Sequence, residues 1–194
     1  MNKRLAAALF AALAGTAMVA VSGCASDEAR ERRAARAANP APCPNIVVLN
    51  DAARFIEFDG DETIENVAYT GEIVDVTSTC RYFEDEPITA GVTIDLAFGR
   101  GPKATVSDKS FTYFVAVTRK DAEVIAKKEF PIEVNFSGED PVKVASVDID
   151  RVIIPRAGEN ISGVNFEIVI GFSVTPQQAI YNRSGKSLKF PDLQ

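Results

Sequence analysis

Apolar and polar positions alternate through most of the chain from residue 46 onward. In VTIDLAFG, Val92, Ile94, Leu96 and Phe98 fall on one face and Thr93, Asp95 and Ala97 on the other. In NFEIVIGFSV, Phe166, Ile168, Ile170, Phe172 and Val174 share a face in the same way. A period of two, bounded by Gly, Pro, Asp or Asn clusters, is the pattern of half-buried antiparallel strands. It predicts further strands at Ile46 to Leu49, Ile73 to Phe83, Phe111 to Thr118, Glu129 to Phe136 and Val142 to Ile154. Within the Ile73 to Phe83 segment, Val74, Val76, Cys80 and Tyr82 take one face, which points Cys80 into the core.

Helical signals are sparse. Thr175 and Pro176 suit the N-cap and N1 positions, and Gly185 can close a short helix from Pro176 to Arg183, ahead of a last strand at Leu188 to Phe190. Ala122 to Lys128 fits a brief helix or the start of a strand, because Val124 and Ile125 serve either. SFTYFVAVT is apolar on both faces, with Phe111, Tyr113, Val115 and Val117 alternating with Phe114 and Ala116. A central strand beneath the C-terminal helix accounts for that, and a partner surface displaying Tyr113 is the sharper alternative. Seven or more short strands with turn signals predict an all-β chain, an antiparallel two-sheet sandwich of immunoglobulin-like or fibronectin-like kind with a short C-terminal helix. Two features depart from an antibody domain: tryptophan is absent, and Cys43 and Cys80 both lie early in the domain.

The first residues follow a different pattern. Lys3 and Arg4 precede an uncharged run from Leu5 to Val21 that ends in small residues, the layout of a secretory signal over residues 1 to 23. The run is Ala-rich and broken by Gly15 and Thr16, so it suits a membrane span of about 20 strongly apolar residues poorly. Val21, Ser22, Gly23 and Cys24 resemble the lipobox of bacterial lipoproteins. The resemblance implies diacylglyceryl modification of the Cys24 thiol, cleavage before it, and a mature chain that begins there. Each buried acyl CH₂ contributes about 0.8 kcal/mol, so several chains on one residue anchor firmly. By the family's sorting rule, Ala25 after the cysteine implies the outer membrane, with the domain facing the periplasm.

Residues 24 to 42 are rich in Ala and Arg and end in NPAP, without an apolar period to bury; they read as a tether. Residues 43 to 194 form one domain by length, and they carry 15 basic against 24 acidic residues. An acidic body lacks the basic footprint of a nucleic-acid binder. Export places Cys43 and Cys80 in an oxidising compartment, where an even pair bridges. The chain has no histidine, and the two cysteines lack the paired spacing of zinc sites, so neither a zinc site nor an activated catalytic cysteine is expected.

Candidate chemistry in the body is thin. FDGDETIE gathers Asp59, Asp61 and Glu62 around Gly60, but not at EF-hand spacing, and reads as a solvated hairpin turn. EDE at Glu84 to Glu86 reads as a charged loop. In FGRGPKA, Phe98 to Ala104, two glycines allow a tight turn and Arg100 and Lys103 project positive charge, so the loop could bind an anion or simply connect strands. It lacks the length and the Lys-Ser/Thr ending of a P-loop. Without histidine there is no Ser-His-Asp triad, and no S-x-x-K motif occurs.

The segments CPNIVVLNDAARFIEFDG, GEIVDVTSTCRYF, FGRGPKA and YFVAVTRK together resemble alphaproteobacterial envelope lipoproteins of uncharacterised activity, with a single exported domain. That resemblance implies no enzymatic activity and no cofactor. The expectation is a non-enzymatic lipoprotein held to the membrane through acyl chains on Cys24, whose sandwich engages an envelope protein partner. The competing class is a small-ligand or ion-binding module using Arg100 and Lys103 or the Asp59 to Glu62 turn. A histidine-free hydrolase ranks last.

Overall fold

The computed structural model describes residues 29–30, 42–120 and 123–187. The chain divides into two units, Met1–Pro40 and Ala41–Gln194, and the fold described here is that of the second. Cys24, the signal, the tether up to residue 41 apart from residues 29–30, and the expected strand at Leu188 to Phe190 lie outside the described residues.

Eight strands form two four-stranded sheets packed as a sandwich. The strands are β1 (Asn45–Val48), β2 (Arg54–Phe58), β3 (Val67–Arg81), β4 (Ile88–Arg100), β5 (Asp108–Arg119), β6 (Val124–Asn135), β7 (Val142–Ile154) and β8 (Phe166–Phe172), followed by helix α1 (Pro176–Arg183). One sheet has the order β1-β8-β5-β6 and the other β2-β3-β4-β7. All neighbours are antiparallel except β1 and β8, which run parallel. The architecture is the expected sandwich. Its strand order differs from the ABED and CFG sheets of an immunoglobulin domain, because β2, β3 and β4 form one uninterrupted meander.

The alternation sets the core. Val92, Ile94, Leu96 and Phe98 of β4 face Phe166, Ile168, Ile170 and Phe172 of β8, and all eight are essentially buried. An aromatic cluster fills the space between the sheets: Phe111 stacks on Phe98 with centroids 4.9 Å apart, and Phe55 packs edge-on to Phe172 at 4.9 Å. Offset and edge-to-face pairs of this kind add to area burial.

Three local expectations change. Val74 is 64% exposed, not inward. A register shift between Ile73 and Asp75 inserts one residue into β3, so the inward set becomes Ile73, Val76, Ser78, Cys80 and Tyr82. The Ala122 to Lys128 ambiguity resolves as strand from Val124, paired with Thr118 of β5. The outer face of β5 is not capped by the helix. Phe114 and Ala116 pack instead with Ala52, Val169 and Val174, because the chain stays in the β5 ladder one residue past β8, with Ser173 N–H donating to Thr112 C=O (2.9 Å), and the helix then docks on β2 and on residues 50–52 ahead of it.

Helix α1 forms where its capping signals sit. Thr175 Oγ1 accepts from Gln178 N–H while Gln178 Oε1 accepts from Thr175 N–H, a complete capping box. The helix docks on β2 and the preceding turn: Asn182 Nδ2 donates to Asp51 O (2.9 Å) and Arg54 O (2.6 Å), and Tyr181 packs on Phe58. No helix of the described residues is long and apolar enough to cross a membrane.

The two ends of the sandwich differ. At one end the Cys43–Cys80 disulfide, with Cα atoms 5.7 Å apart, joins the residues just ahead of β1 to β3 and therefore links the two sheets. Tyr82 Oη donates to Pro42 O (2.7 Å) and accepts from Gly163 N–H (2.8 Å). A Cβ on Gly163 would lie 2.1 Å from Pro42 O, so only glycine lets the β7–β8 loop close on the incoming chain. Arg156 completes this clasp. Its guanidinium lies over the Tyr82 ring at 4.5 Å and donates to the carbonyls of Glu84, Glu86 (2.8 Å) and Ile161 (2.9 Å). The other end, roughly 45 Å away at about 3.3 Å per residue of β3, carries the β2–β3, β4–β5 and β6–β7 loops.

Candidate functional site

The residues singled out from sequence do not converge. Arg100 ends β4 and its N–H donates to Pro141 O (2.8 Å), while Lys103 lies in the following turn, whose N–H donates to Val67 O (3.0 Å). Gly101 is required there, because a Cβ would meet Val67 O at 2.2 Å. These bonds fix the FGRGPKA turn against β3, as a strand connection. Tyr113 belongs to the core: it is 5% exposed, stacked on Phe130 at 5.3 Å, and burial raises its phenol pKa above the ordinary value. Its sharper reading as a displayed partner contact does not fit that position. The acids of FDGDETIE are exposed, and Asn66 Nδ2 braces the loop through Asp61 O. No group of three or more acidic or cysteine side chains able to hold a metal ion occurs among the described residues.

Among the described residues are two shallow hollows. The first, about 280 Å³, lies where β5 continues past the end of β8, and Glu57, Ser110, Thr112, Glu129 and Ser173 rim it above Phe55. Each carboxylate already has its own lysine: Glu57 pairs with Lys109 (2.9 Å) and Glu129 with Lys127 (3.0 Å). The Lys127 hydrogen bond, helped by Ser173 Oγ, holds the Glu129 carboxyl below its ordinary range. Each carboxylate is committed to a lysine of its own rather than to the other, so the hollow holds two separate ion pairs and not a paired-carboxylate site.

The second hollow, about 240 Å³, lies on the outer face of β3, β4 and β7, bounded by Thr77, Thr79, Gly91, Thr93, Asp148 and Asp150. It arises where the register shifts between Ala90 and Val92, and Gly91 leaves it unfilled. Thr93 Oγ1 donates to Asp148 Oδ1 (2.6 Å), and Asp75 sits directly opposite Asp95 in the ladder. Among the described residues no lysine or arginine pairs with Asp75, Asp95, Asp148 or Asp150.

This hollow adjoins the free edge of β7. Because Arg100 N–H bonds Pro141 O, the ladder alternation directs the main chain of Lys143, Ala145, Val147 and Ile149 toward β4. The N–H and C=O of Val144, Ser146 and Asp148 therefore face outward, away from the sheet. Val144 is 71% exposed, and the inward Ala145, Val147, Ile149 and Val152 are only half-buried. On the other sheet, β6 is also an edge strand, but Pro131 occupies one of its outward main-chain positions and offers no donor. The sequence marks residues 142–154 as a strand like the others. Like every strand but β6 it lacks proline, and its own residues do not mark it as an edge.

Surface ion pairs set a modest acid limit. The Arg183 hydrogen bond holds Asp51 below its ordinary range, as Lys127 does for Glu129. A depressed carboxyl stabilises the fold above its unfolded pKa, and that contribution is lost as pH falls through the folded value. Thermal stability is therefore expected to hold from neutral pH to about pH 5 and to decline below about pH 4. The double variant Asp51→Asn/Glu129→Gln should lose part of that slope in calorimetric scans across pH; an unchanged slope would remove these pairs from the account.

Comparison of the chain with protein-family models, with curated proteins and with solved structures finds no match in any of the three.

Proposed function

We propose that the protein is a non-enzymatic envelope lipoprotein that presents its β-sandwich to the periplasm as a protein-interaction module. Acyl chains on Cys24 hold it to the outer membrane, and residues 25 to 42 carry the domain off the surface. The observation that supports this reading is the clasped end of the sandwich. The chain enters at Pro42 and Cys43, and there the disulfide, Tyr82, Arg156 and Gly163 tie both sheets to the incoming segment. A domain held from its N-terminus transmits tension through that point, and a covalent bridge across the sheets keeps β1 from peeling away. Surfaces elsewhere are then left open to a partner, and the ion-paired hollow beside β5 offers no competing chemistry.

The anchor is tested by Cys24→Ala. Cells fed an alkyne fatty acid should label the wild-type chain and not the variant, and the variant should leave the outer-membrane fraction as an uncleaved precursor. Undiminished labelling of the variant overturns the anchor. Photo-crosslinking of the wild type in intact cells tests the interaction role, and a chain that crosslinks to no envelope protein at native abundance would sink it.

A further inference from the structure

We propose that the free edge of β7 receives an extended segment of a partner protein as an added strand, and that this segment alternates apolar with basic residues. The inference rests on reading the protein as an interaction module and names the surface that does the binding. Strand addition uses main-chain hydrogen bonds for affinity and alternate side chains for specificity. The outward N–H and C=O groups of Val144, Ser146 and Asp148 supply the first, in phase with the Arg100–Pro141 bond.

The side chains supply the second. On the inner side, Ala145, Val147, Ile149 and Val152 face the core yet remain half-buried, so apolar residues of an added strand would extend that layer. On the outer side, Asp148 and Asp150 stand beside the hollow at Gly91, with Asp95 and Asp75 behind them in the ladder. A lysine or arginine reaching across β7 would neutralise this strip. A second copy of the chain suits the edge poorly, because it would lay its own Asp148 and Asp150 along the same acids, and like charges across a strand pair destabilise it. Natural sheets block edges that must stay free with proline, charge or bulges; β6 carries Pro131 at an outward position, whereas β7 has no proline, its bulge opposite Gly91 falls beyond Asp148, and its outer-face charges at Asp148 and Asp150 are the acids a basic segment would meet.

The test uses the detergent-solubilised full chain and a labelled, end-capped nonapeptide alternating valine and lysine. Two controls accompany it: a valine-glutamate peptide, and a valine-lysine peptide N-methylated at every residue, which keeps its charge but has no main-chain donor on either edge. Only the unmodified valine-lysine peptide should bind, and hydrogen exchange should slow at Val144, Ser146 and Asp148. Ser146→Pro removes an outward N–H without touching the β4 ladder, so it should weaken binding at least tenfold with the circular dichroism unchanged. Should that variant fail to fold, Asp148→Lys/Asp150→Lys serves instead and should switch preference to the glutamate peptide. Equal binding of the N-methylated peptide, protection outside β7, binding unaffected by both variants, no binding at millimolar peptide, or a dimer that protects β7 without peptide would each overturn the proposal. Failure here with lipid labelling and crosslinking intact removes the β7 edge alone; peptide binding by a chain that is not lipidated removes the anchor alone.

Discussion

Replacing Cys80 with serine should lower the thermal midpoint by about 8 to 16 °C. The bridge closes a loop between residues 37 apart, and in the chain-entropy model such a constraint on the unfolded chain contributes about 4 kcal/mol. At this size each kcal/mol corresponds to about 2 to 4 °C. Because the bond joins the residues ahead of β1 to β3 of the other sheet, its loss also frees the segment that Tyr82 and Gly163 hold. Cys43→Ser should show the same shift, and the double variant no more than either single one, since all three remove one bond. Calorimetry of the wild type with reductant should reproduce the number. A midpoint indifferent to reductant and to both substitutions would mean that the bridge does not form in the protein.

How far this was legible in the sequence depends on how local each cause is. On the expectation that Cys24 is set aside for acyl chains in an exported protein, the two remaining cysteines make an even pair, and the Cys43–Cys80 bridge is predicted without any geometry. The inward sets of β4 and β8 follow from period two, because both strands keep one register where their alternation was read. Val74 fails for the converse reason: one inserted residue in β3 reverses the phase, and an alternation rule cannot see an insertion that the partner strand defines. Arg54–Phe58 breaks the alternation, since the adjacent Phe55 and Ile56 are both buried, and β2 becomes a strand through pairing with β3 and the helix laid against it. Arg156 carried no motif at all. Its role comes from loop carbonyls 70 and 72 residues away in the chain, Glu86 and Glu84.

The surfaces were less legible than the core. Arg100, Lys103 and Tyr113 drew attention by residue type, yet Tyr113 is core and the turn holding Lys103 is tied down by backbone bonds. Whether a strand is an edge is decided by the order of the whole sheet, so nothing in residues 142–154 alone distinguishes β7 from β4. Only the paired comparison with Pro131 in β6 makes the difference visible.

The second large effect belongs to the core aromatic cluster. Phe111→Ala should destabilise the domain by about 3 to 5 kcal/mol, toward the upper end, the range for truncating a buried phenylalanine. The ring is 5% exposed and lies between the sheets, where it stacks on Phe98 (4.9 Å) and meets Phe55 (5.0 Å), Tyr69 (6.0 Å) and Phe136 (6.4 Å). Its removal opens a void that three rings of the facing sheet and Phe136, just past β6, would have to share, and rings held by their own neighbours relax little. Tyr69 ties the consequence to the far loops, since its hydroxyl donates to Val106 O and accepts from Val106 N–H. Loosening Tyr69 should therefore speed hydrogen exchange at Val106 before global unfolding does. Phe111→Leu, which keeps most of the volume, should recover the larger part of the loss. Denaturant titration of the two variants decides it: a cost for Phe111→Ala below about 2 kcal/mol would show that the cluster collapses freely around the missing ring, and that Phe111 is not its centre.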